Sequence, residues 1–498
     1  MILLFAALAI PAVAGTALIL SGRGSRPLSG GNANMLSLVA SLATAAFVLA
    51  AVIARPVVDQ QWLPSLGIRL QFAVDGISAP LLILTAALSV AVVVHAGSRP
   101  SHGGSPATFY GCLQLVELGA LATFFARDAI IFYVSFEIVL IPMWVLISRY
   151  GDSRDLVARA DASGRFVLFT VLGSTLMLIG ILALVQASGT ASLDALAASR
   201  GAGLERHTQI IIAALLLVGL SIKIPVFPLH TWLPPAHTIA PTAGSVMLAA
   251  VLLKMGTYGV VRLVIAPLPI GFGALAPAFA ILGVAGIIWG GLACLVENDL
   301  KRLIAYSSVA HMGFVVLGLS SGTTVGLQAA LFANIAHGNN SIVATRFALT
   351  RAPWVVTECG FGSDLGLEKF MHIKARAAGL QPACVVLVCT VRALKVHAGV
   401  ARVAVGKPLD QIVSVPDVEA VERGAANLRH HLRITRSFGV KVVVALNHFP
   451  SDSPDEVAVV ERIAREAGAG FAVHSGFADG GDGATELARA VVALCGWR

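Results

Sequence analysis

Long apolar stretches alternate with short polar ones from the N-terminus to about residue 320. A helix of roughly 17–25 apolar residues is long enough to cross the hydrocarbon core of a bilayer. Stretches of that kind predict ten spanning helices, at about 1–20, 34–54, 77–96, 109–126, 128–148, 166–187, 209–224, 238–265, 271–296 and 303–320. An eleventh run begins near Thr323 and turns polar at Asn334, which makes its crossing costly.

The pattern changes after about Phe332, where short β-branched runs replace the long apolar ones. Strands that alternate with helix-like stretches indicate βαβ units around a parallel sheet. The sequence therefore predicts an all-α polytopic membrane bundle in residues 1–332 and a soluble, incomplete α/β segment in residues 333–498. The predicted strands are Trp354–Thr357, Val385–Val391 and Lys441–Leu446, and the predicted helices are Asp364–Ala378, Asp417–Phe438 and Pro454–Ala467.

Composition supports the membrane assignment. Hydrophobic residues make up 57% of the chain and charged residues 12%, and the mean hydropathy is +0.83. These values exclude an ordinary soluble protein. The net charge of +8 is spread over loops and gives no reason to expect a nucleic-acid partner. The cysteines stand apart, without a CxxC pair, so we expect no disulfide framework, zinc site or iron–sulfur cluster.

The basic residues of the loops predict the orientation of the bundle. The four arginines between Arg149 and Arg165, together with Lys301 and Arg302, fall on one side if every run crosses. The positive-inside rule places that side in the cytoplasm and the N-terminus outside, in a bacterial inner membrane. We expect the C-terminal segment to be cytoplasmic, where a folate enzyme belongs, and this requires the eleventh run, Thr323 to Arg346, to cross as well. The first run lacks a basic start, which favours an uncleaved span over a signal peptide.

Two lysines lie inside apolar runs, Lys223 and Lys254. A cation in hydrocarbon costs about 2.5–3.5 kcal/mol on insertion scales, so such residues usually have a function. Pro225 and Pro228 follow Lys223 and break its helix, and broken helices at membrane depth line cavities or are buried in protein. The hairpin therefore predicts an ion path inside the bundle.

Further ionisable residues extend this predicted path. Glu137 lies within an apolar run and is a natural partner for Lys223, because a carboxylate that approaches or leaves a lysine changes how firmly the lysine holds its proton. His230, His237 and His311 are candidate relays, or alternatively hydrogen-bonded core histidines. Glu117 is a weaker second acid, and Arg127 with Asp128 suggests a structural pair.

Residues 1 to about 332 resemble subunit M of bacterial NADH-quinone oxidoreductase, the chain 4 family of respiratory complex I. The strings that carry the resemblance are SFEIVLIPMWVLI, KIPVFPLHTWLPPAHTIAPTAGSVMLAAVLLKMGTYGVVR and ENDLKRLIAYSSVAHMGFVVLGL. The resemblance implies an antiporter-like, proton-translocating subunit without a redox cofactor, with Glu137, Lys223 and Lys254 as its path residues. It also implies two inverted repeats, the first complete here and the second truncated. Sodium–proton antiporter subunits are the near alternative.

Residues from about 333 onward resemble the middle part of formate–tetrahydrofolate ligase. The strings are FANIAHGNNSIVATRFAL, VVTECGFGSDLGLEKFMHIKAR, VCTVRALKVHAGV and VVVALNHFPSDSPDEV, with departures from the family at Cys389 and Ala398. The resemblance makes six residues remnants of the ligase site: Gly360, Gly362, Asp364, Glu368, Arg392 and Lys395. ATP would be the cofactor only of a complete ligase, because no phosphate-binding Gly-Lys-Ser/Thr loop is present.

These observations leave three hypotheses. The first is a membrane subunit of NADH-quinone oxidoreductase, with other membrane subunits and the lipid bilayer as partners, fused to a ligase fragment that is inactive alone. The second is an ATP-dependent ligase of one-carbon metabolism. The third is a non-functional chimera, joined at a string common to both families, Phe332 to Gly338.

Overall fold

The computed structural model describes residues 1–24, 28–63, 68–98, 103–297, 299–335, 345, 349–350, 354–357, 359, 362–401 and 410–496. The chain divides into two compact units, Met1–Ile335 and Ala336–Arg498. The first is mostly helical, and the second contains a small sheet.

The first unit contains ten helices that are long and apolar enough to cross a membrane, among the residues that the structure describes. This confirms the predicted number of spans. In chain order the helices are α1 (Ile2–Arg23), α2 (Gly30–Ala54), α3 (Ser78–Ser98), α4 (Pro106–Phe125), α5 (Ala129–Ile138), α6 (Leu140–Tyr150), α7 (Leu156–Ser188), α8 (Leu193–Ser199), α9 (Arg206–Lys223), α10 (Leu233–Ile239), α11 (Thr242–Met247), α12 (Leu253–Gly259), α13 (Pro269–Val296), α14 (Leu300–Ser320) and α15 (Thr324–Ile335).

Three of these helices have fewer residues, within the described part of the chain, than a span needs, and two pairs form single spans. Helices α8, α10 and α15 are the short ones; α15 is the described part of the eleventh apolar run and has 12 residues. Helices α5 and α6 form one span, interrupted at Val139. Helices α11 and α12 form another, Thr242–Ile265, together with two π-helical segments, Leu248–Leu252 and Val260–Ile265.

Side chains fix several of the helix starts. Asp128 accepts hydrogen bonds from the backbone N–H groups of Ile130 and Ile131 at the start of α5. Asp155 and Asp299 accept in the same way at the starts of α7 and α14. Such caps satisfy N–H groups that have no partner within the helix, and each contributes about 1 kcal/mol.

Burial distinguishes the central helices from the peripheral ones. In its most apolar window α4 is 89% buried, whereas α13 is only 28% buried. The exposed face of α13 is itself apolar, which requires a lipid or protein neighbour rather than water. Its exposed large side chains include Ile281, Val284, Ile288 and Leu292, which follow one another at the spacing of one helix face.

A β-hairpin interrupts the helical pattern between α2 and α3. Strands β1 (Val58–Leu63) and β2 (Ile68–Phe72) pair antiparallel, and Asp59 accepts a hydrogen bond from Arg69 at 2.7 Å on their exposed side. The hairpin was not predicted from the sequence, because the stretch has neither a long apolar run nor a clear alternation.

Two glycines allow α7 and α9 to approach each other at backbone distance. A Cβ added at Gly173 would lie 2.9 Å from the carbonyl oxygen of Gly219, and one added at Gly219 would lie 2.5 Å from that of Gly173. Small residues at helix contacts are a common means of close packing in membranes. The contact positions α9, which carries Lys223, against α7.

The second unit contains a three-stranded parallel sheet in the order β3 (Cys384–Cys389), β4 (Lys441–Asn447) and β5 (Gly470–His474). The buried face of β4 joins an apolar core with the amphipathic helices that cover it. The helices are α16 (Arg376–Ala378), α17 (Val391–His397), α18 (Val418–Ser437), α19 (Pro454–Glu466), α20 (Gly476–Asp479) and α21 (Thr485–Cys495), with π turns at Ser363–Leu367 and Phe370–Ala375 and 3-10 turns at Gln411–Ser414 and Asp482–Ala484.

The predicted parallel sheet is present, with two differences. Trp354–Thr357 is not a strand in the structure, so that prediction was wrong; a run of four residues is too short to specify a strand without its neighbours. Strand β5 was not predicted, because GFAVH carries only a weak β pattern. The predicted helix Asp364–Ala378 forms mainly π turns.

We predict that Gly173→Ala lowers the free energy of unfolding of the membrane unit by about 1–3 kcal/mol. The added methyl group meets the Gly219 backbone rather than a flexible side chain. Gly164→Ala on the same helix is the matched control, since a Cβ there meets nothing within 4 Å. Thermal unfolding of the two purified variants compares them; equal stabilities would contradict the close contact of α7 and α9.

Candidate functional site

The helix that carries Lys223 ends at a break caused by proline. Pro225 has no N–H group, so the Ser221 carbonyl instead accepts from Val226, at 2.9 Å. That shift releases the carbonyl of Ile222, which accepts a hydrogen bond from the indole of Trp232 at 2.9 Å. The Trp232 indole thereby satisfies a backbone group that the break exposes inside the bundle.

The Lys223 ammonium group is buried at this break. The residue is 3% exposed, and its Nζ lies 4.9 Å from the ring centroid of Phe136 without a hydrogen-bond partner. The aromatic face supplies some of the stabilisation that water would otherwise give. The Lys223 ammonium group can therefore still donate a hydrogen bond to a polar partner.

Glu137 lies near the end of α5, next to Phe136 in the sequence. Its side chain is half-buried, its Oε1 has no partner, and Ser174 and Lys223 act on the carboxylate electrostatically. Glu137 and Lys223 do not form a contact ion pair within 4 Å among the described residues. The expected partnership is therefore a through-space interaction in this structure.

Lys254 lies in the short helix α12, between the two π segments of its span. It is 2% exposed, and its Nζ donates to the carbonyl of Ala249 at 2.6 Å, on the preceding turn of the same helix. π segments occur frequently at functional sites, because they distort the regular backbone ladder. The Ala249 carbonyl that accepts from Lys254 belongs to the π segment that precedes α12.

A glycine brings the two lysine-bearing helices together. A Cβ added at Gly256 would lie 3.2 Å from both the Cβ of Lys223 and the backbone nitrogen of Ile224. The segment that follows Lys254 thus packs directly on the end of α9. The structure places both predicted path lysines on either side of one tight helix contact.

The three predicted histidines occupy different surroundings. His230 is buried and stacks on Phe227 at 5.5 Å, and His237 is buried on α10; the Nδ1 atom of each lacks a partner. His311 on α14 contacts the carbonyl of Ala333 through Nε2 at 2.8 Å and interacts electrostatically with Lys254. His311 is thus bonded to α15, and it is near enough to Lys254 for their charges to interact.

Lys301 is a site residue that sequence reasoning missed. Its Nζ donates to the carbonyls of Thr238 and Ala240, at 3.1 and 3.0 Å, at the end of the helix that carries His237. The sequence analysis counted Lys301 only as a topological charge. Its position at the start of a spanning helix resembles that of any loop lysine, so the sequence gives no separate signal.

Arg127 and Asp128 do not pair with each other, which corrects the predicted structural pair. Asp128 caps α5, whereas Arg127 bonds to Asp75 at 2.9 Å and to Asp194 at 3.3 Å. Arg262 shares Asp75 at 2.5 Å. Burial favours the neutral form of Asp75, but the two guanidinium groups outweigh it and hold the pKa of that carboxyl well below its usual range.

The ligase-like remnant is dispersed in the structure. Gly360 lies outside the described residues, and Gly362, Asp364 and Glu368 are exposed at or beside the first π turn. Arg392 lies 4.1 Å over the ring of Phe449 and donates to Ser451. Among the described residues, no hydrogen bond or ion pair joins Arg392 to Asp364 or Glu368.

Lys395 is buried, and its ammonium group is held by protein partners. Its Nζ pairs with Glu456 at 2.5 Å and donates to the carbonyls of Val413 and Val415. Burial opposes ionisation of Glu456, but the backbone N–H of Asp417 and the Lys395 ammonium hold its pKa below the usual range. Lys395 therefore has the contacts of a structural lysine.

The two family departures are accommodated locally. Ala398 has φ of −72°, and the left-handed position is taken by the next residue, Gly399, at +85°. Cys389 is buried at the end of β3, and burial raises the pKa of its thiol to about 12, so it is not a nucleophile at neutral pH.

Comparison with known families distinguishes the two units. Residues 126–351 match the family model described as NADH:quinone oxidoreductase/Mrp antiporter, TM, and residues 316–498 match the formate–tetrahydrofolate ligase model. The chain thus contains one segment that matches each of two different family models. We call Met1–Ile335 the antiporter-like unit and Ala336–Arg498 the ligase-like unit.

Curated relatives match each unit separately. NAD(P)H-quinone oxidoreductase chain 4 3 of Trichormus variabilis is 38% identical over 289 residues, which are 58% of this chain and 52% of the relative. Formate–tetrahydrofolate ligase of Desulforamulus reducens is 53% identical over 170 residues, 34% of this chain and 30% of the ligase. The chain thus spans about half the length of the chain 4 relatives and less than a third of that ligase.

Solved respiratory membrane complexes share the fold. A chain of the archaeal membrane-bound sulfane sulfur reductase aligns with a TM-score of 0.58 at 22% identity, over 66% of this chain and 67% of that one. A chain of Thermus thermophilus respiratory complex I aligns with a TM-score of 0.59 at 22% identity, over 99% of both chains. At this identity the likeness concerns the fold alone.

We predict that Lys395→Met destabilises the ligase-like unit by about 3–5 kcal/mol, because it leaves Glu456 buried without its cation. The Lys395→Met/Glu456→Gln double variant should recover part of that loss, because glutamine removes the uncompensated charge and keeps one acceptor oxygen for the N–H groups of Asp417 and Ser453. Lys441→Met is the matched control, since Lys441 is exposed. Hydrogen exchange of the β4 peptide in urea, measured on the full chain, reports the difference. An unchanged exchange rate in Lys395→Met would rule out a structural role.

Proposed function

We propose that the antiporter-like unit is a membrane subunit of a respiratory NADH-quinone oxidoreductase and takes part in proton translocation coupled to quinone reduction. The observation that carries this proposal is that Lys223 and Lys254 are buried on either side of one tight helix contact, with the Glu137 carboxylate near enough to Lys223 for their charges to interact. Intramembrane ionisable residues typically mark ion paths. The family match to a region that includes all three residues supports the proposal.

The geometry suggests how a proton would move. The carboxylate of Glu137 stabilises an ammonium at Lys223 through space, and separation of the two groups would favour release of the Lys223 proton. Lys254 lies on the other side of the Gly256 contact from Lys223. His311 is near enough to Lys254 for their charges to interact. A proton loaded at Lys223 would therefore pass to Lys254 and on toward α14. His230 and His237 lie on the broken segment and are proposed as entry relays.

We further propose that the partners are other membrane subunits of the same complex, in a bacterial inner membrane. We also propose that the chain crosses once more after α14, along the eleventh apolar run, which places the ligase-like unit on the cytoplasmic side. The aligned proteins belong to multi-subunit respiratory membrane complexes, which supports such partners. The arginines between α6 and α7 support the orientation. The apolar exposed face of α13 offers a surface for lipid or for a neighbouring subunit.

For the ligase-like unit we propose that formyl transfer does not occur in this chain. The unit has no Gly-Lys-Ser/Thr phosphate loop in its sequence, and its candidate residues are divided between an exposed turn and a buried ion pair. An active ligase remains the second candidate function, supported by the 53% identity over 170 residues.

We predict that Glu137→Gln lowers proton pumping about tenfold or more in membranes that contain the assembled complex, while NADH oxidation continues, because the amide cannot exchange a proton. Glu205→Gln is the control, since Glu205 is an exposed carboxylate at the start of α9. Quenching of a pH-sensitive dye in inverted vesicles measures the pumping. Normal pumping by Glu137→Gln would remove this carboxylate from the mechanism.

We also predict that the purified full chain forms no formyl-tetrahydrofolate from ATP, formate and tetrahydrofolate. Release of phosphate and product absorbance measure this, with an intact ligase as the positive control. Turnover that depends on both ATP and formate would favour the second candidate function.

A further inference from the structure

Two cysteines of the ligase-like unit lie far apart in the sequence and meet in the fold. Cys384 is the first residue of β3, and Cys495 is the last residue of α21. Their side chains share a hydrogen bond between the two thiol groups. Both thiols are free in the structure. The pair lies outside the residues assigned above to proton translocation and to the ligase-like remnant.

The topology of the sheet brings these two positions together. A helix that follows a parallel strand runs back toward the edge of the sheet at which the strands begin. Helix α21 follows β5 in this way and packs on all three strands. Its 11 residues span about 16 Å, which is close to the length of about 20 Å of the six residues of β3. The helix therefore ends beside the first residue of β3, an edge strand of the sheet.

A lysine of the central strand fixes the end of α21. Lys441 is the Cα partner of Cys384 in the ladder between β3 and β4. Its Nζ donates to the carbonyl of Leu494 at 2.7 Å, and Leu494 directly precedes Cys495. The next residue, Gly496, has φ of +78°, a conformation that favours glycine and ends the helix. The position of Cys495 next to Cys384 is thus supported by backbone contacts as well as by the thiols.

Helix α21 has little buried surface of its own. Every residue from Thr485 to Cys495 is described in the structure, and each is at least partly exposed. The ion pair of Arg489 with Glu486 lies within the helix and is exposed, and such pairs contribute little to stability. A covalent link from the last residue of α21 to β3 would therefore affect this helix more than the buried core around β4.

Both cysteines are accessible enough to react. Cys384 and Cys495 are half-buried, whereas Cys389 at the other end of β3 is buried. Burial, together with the neighbouring Cys495, raises the pKa of the Cys384 thiol to about 11. A thiol with a raised pKa is a poor attacking group, so the first attack on an oxidant falls to Cys495. Disulfides in reducing compartments are usually transient and sense oxidants, and a half-exposed pair suits that use.

We propose that Cys384 and Cys495 form a reversible disulfide that fastens α21 to the edge strand β3 under oxidising conditions. The oxidant is a low-molecular-weight disulfide such as oxidised glutathione. The Cys495 thiolate, its proton released to water, attacks one sulfur of that molecule, whose S–S bond breaks and releases one thiolate. Cys384 then gives its proton to water and attacks the Cys495 sulfur of the mixed disulfide, which releases the second thiolate. The two cysteines lose two electrons, and the oxidant gains them as two thiols.

The disulfide would close a loop on the order of a hundred residues that contains β4 and β5, and a link across a long loop restricts the unfolded chain strongly. Its formation depends neither on proton translocation nor on the presence or absence of formyl transfer. The sequence alone gives no signal for the pair, because neither cysteine has a second cysteine at close spacing.

Oxidation of the purified full chain in lipid tests this link. The chain is incubated with oxidised glutathione, its remaining free thiols are alkylated, and mass spectrometry maps the linked peptides. We expect one peptide pair joined through Cys384 and Cys495, which dithiothreitol separates. Cys384→Ser and Cys495→Ser should each lose the link. Cys359→Ser is the control and should keep it, because Cys359 is another half-buried thiol of the same unit.

Hydrogen exchange of the α21 peptide measures the fastening. Oxidation should slow the exchange of the α21 amides on the order of tenfold or more in the wild-type chain and in Cys359→Ser, and reduction should restore it. Cys384→Ser should exchange at the rate of the reduced wild type with and without the oxidant.

A persistent glutathione adduct on either cysteine, a link to any other cysteine, or thiols that stay unreacted would overturn the proposal. Unchanged α21 exchange after the link has formed would overturn its role in fastening the helix. The wild-type comparison with and without the oxidant needs no variant, so it decides the matter even if a serine variant does not fold.

Discussion

The cost of holding two ammonium groups out of water determines the architecture around them. Lys223 and Lys254 are almost fully buried, and a buried cation is tolerated only where the protein replaces part of its hydration. The replacements differ: Lys223 has the face of Phe136, and Lys254 has the carbonyl of Ala249.

Both lysines lie beside an irregular backbone, since a proline break follows Lys223 and π segments flank Lys254. Glu137 has a similar setting, because Pro142 lacks the N–H group that would continue its helix past Ile138. Irregular segments of this kind can change their hydrogen bonds at small cost, which suits residues that must gain and lose a proton.

Much of this arrangement could be predicted from the sequence, and the reasons for success and failure are physical. The ten spans were predictable, since long apolar runs have few alternative structures. The burial of Lys223 and Lys254 could be predicted, because a lysine inside an apolar run is rare, whereas the role of these lysines and of Glu137 stays a prediction. The Trp232 hydrogen bond, the Gly256 contact and the role of Lys301 were not predictable, since each depends on which helices meet. The buried Glu117 was visible only as one weak acid, because Ser41, which donates a hydrogen bond to it, lies on another helix. In the second unit, strands β3 and β4 carry continuous apolar runs, whereas β5 and the residues near Trp354 show that runs of four or five residues do not specify a strand alone.

The junction between the units combines two independent patterns. The two family models overlap over residues 316–351, a region that contains the string Phe332 to Gly338. The described helix α15 ends at Ile335, inside this string, and the contact between His311 and Ala333 ties its end to α14. The antiporter-like unit is therefore packed up to Ile335, within the region that both family models match. The ligase-like unit has its own apolar core around β4 and its own buried ion pair, so it is stabilised by contacts of its own.

The central claim is that Glu137 and Lys223 are coupled electrostatically inside the bundle, although no contact ion pair joins them. The most direct measurement is the pH titration of the Lys223 side chain by nuclear magnetic resonance, on the full chain labelled with nitrogen-15 lysine in lipid. Lys223→Arg and Lys254→Arg variants assign the signals. Coupling predicts that Glu137→Gln moves the titration midpoint of Lys223 clearly and that of Lys254 much less, while Glu205→Gln moves neither. A Lys223 titration that is the same with glutamate and with glutamine at position 137 would contradict the account.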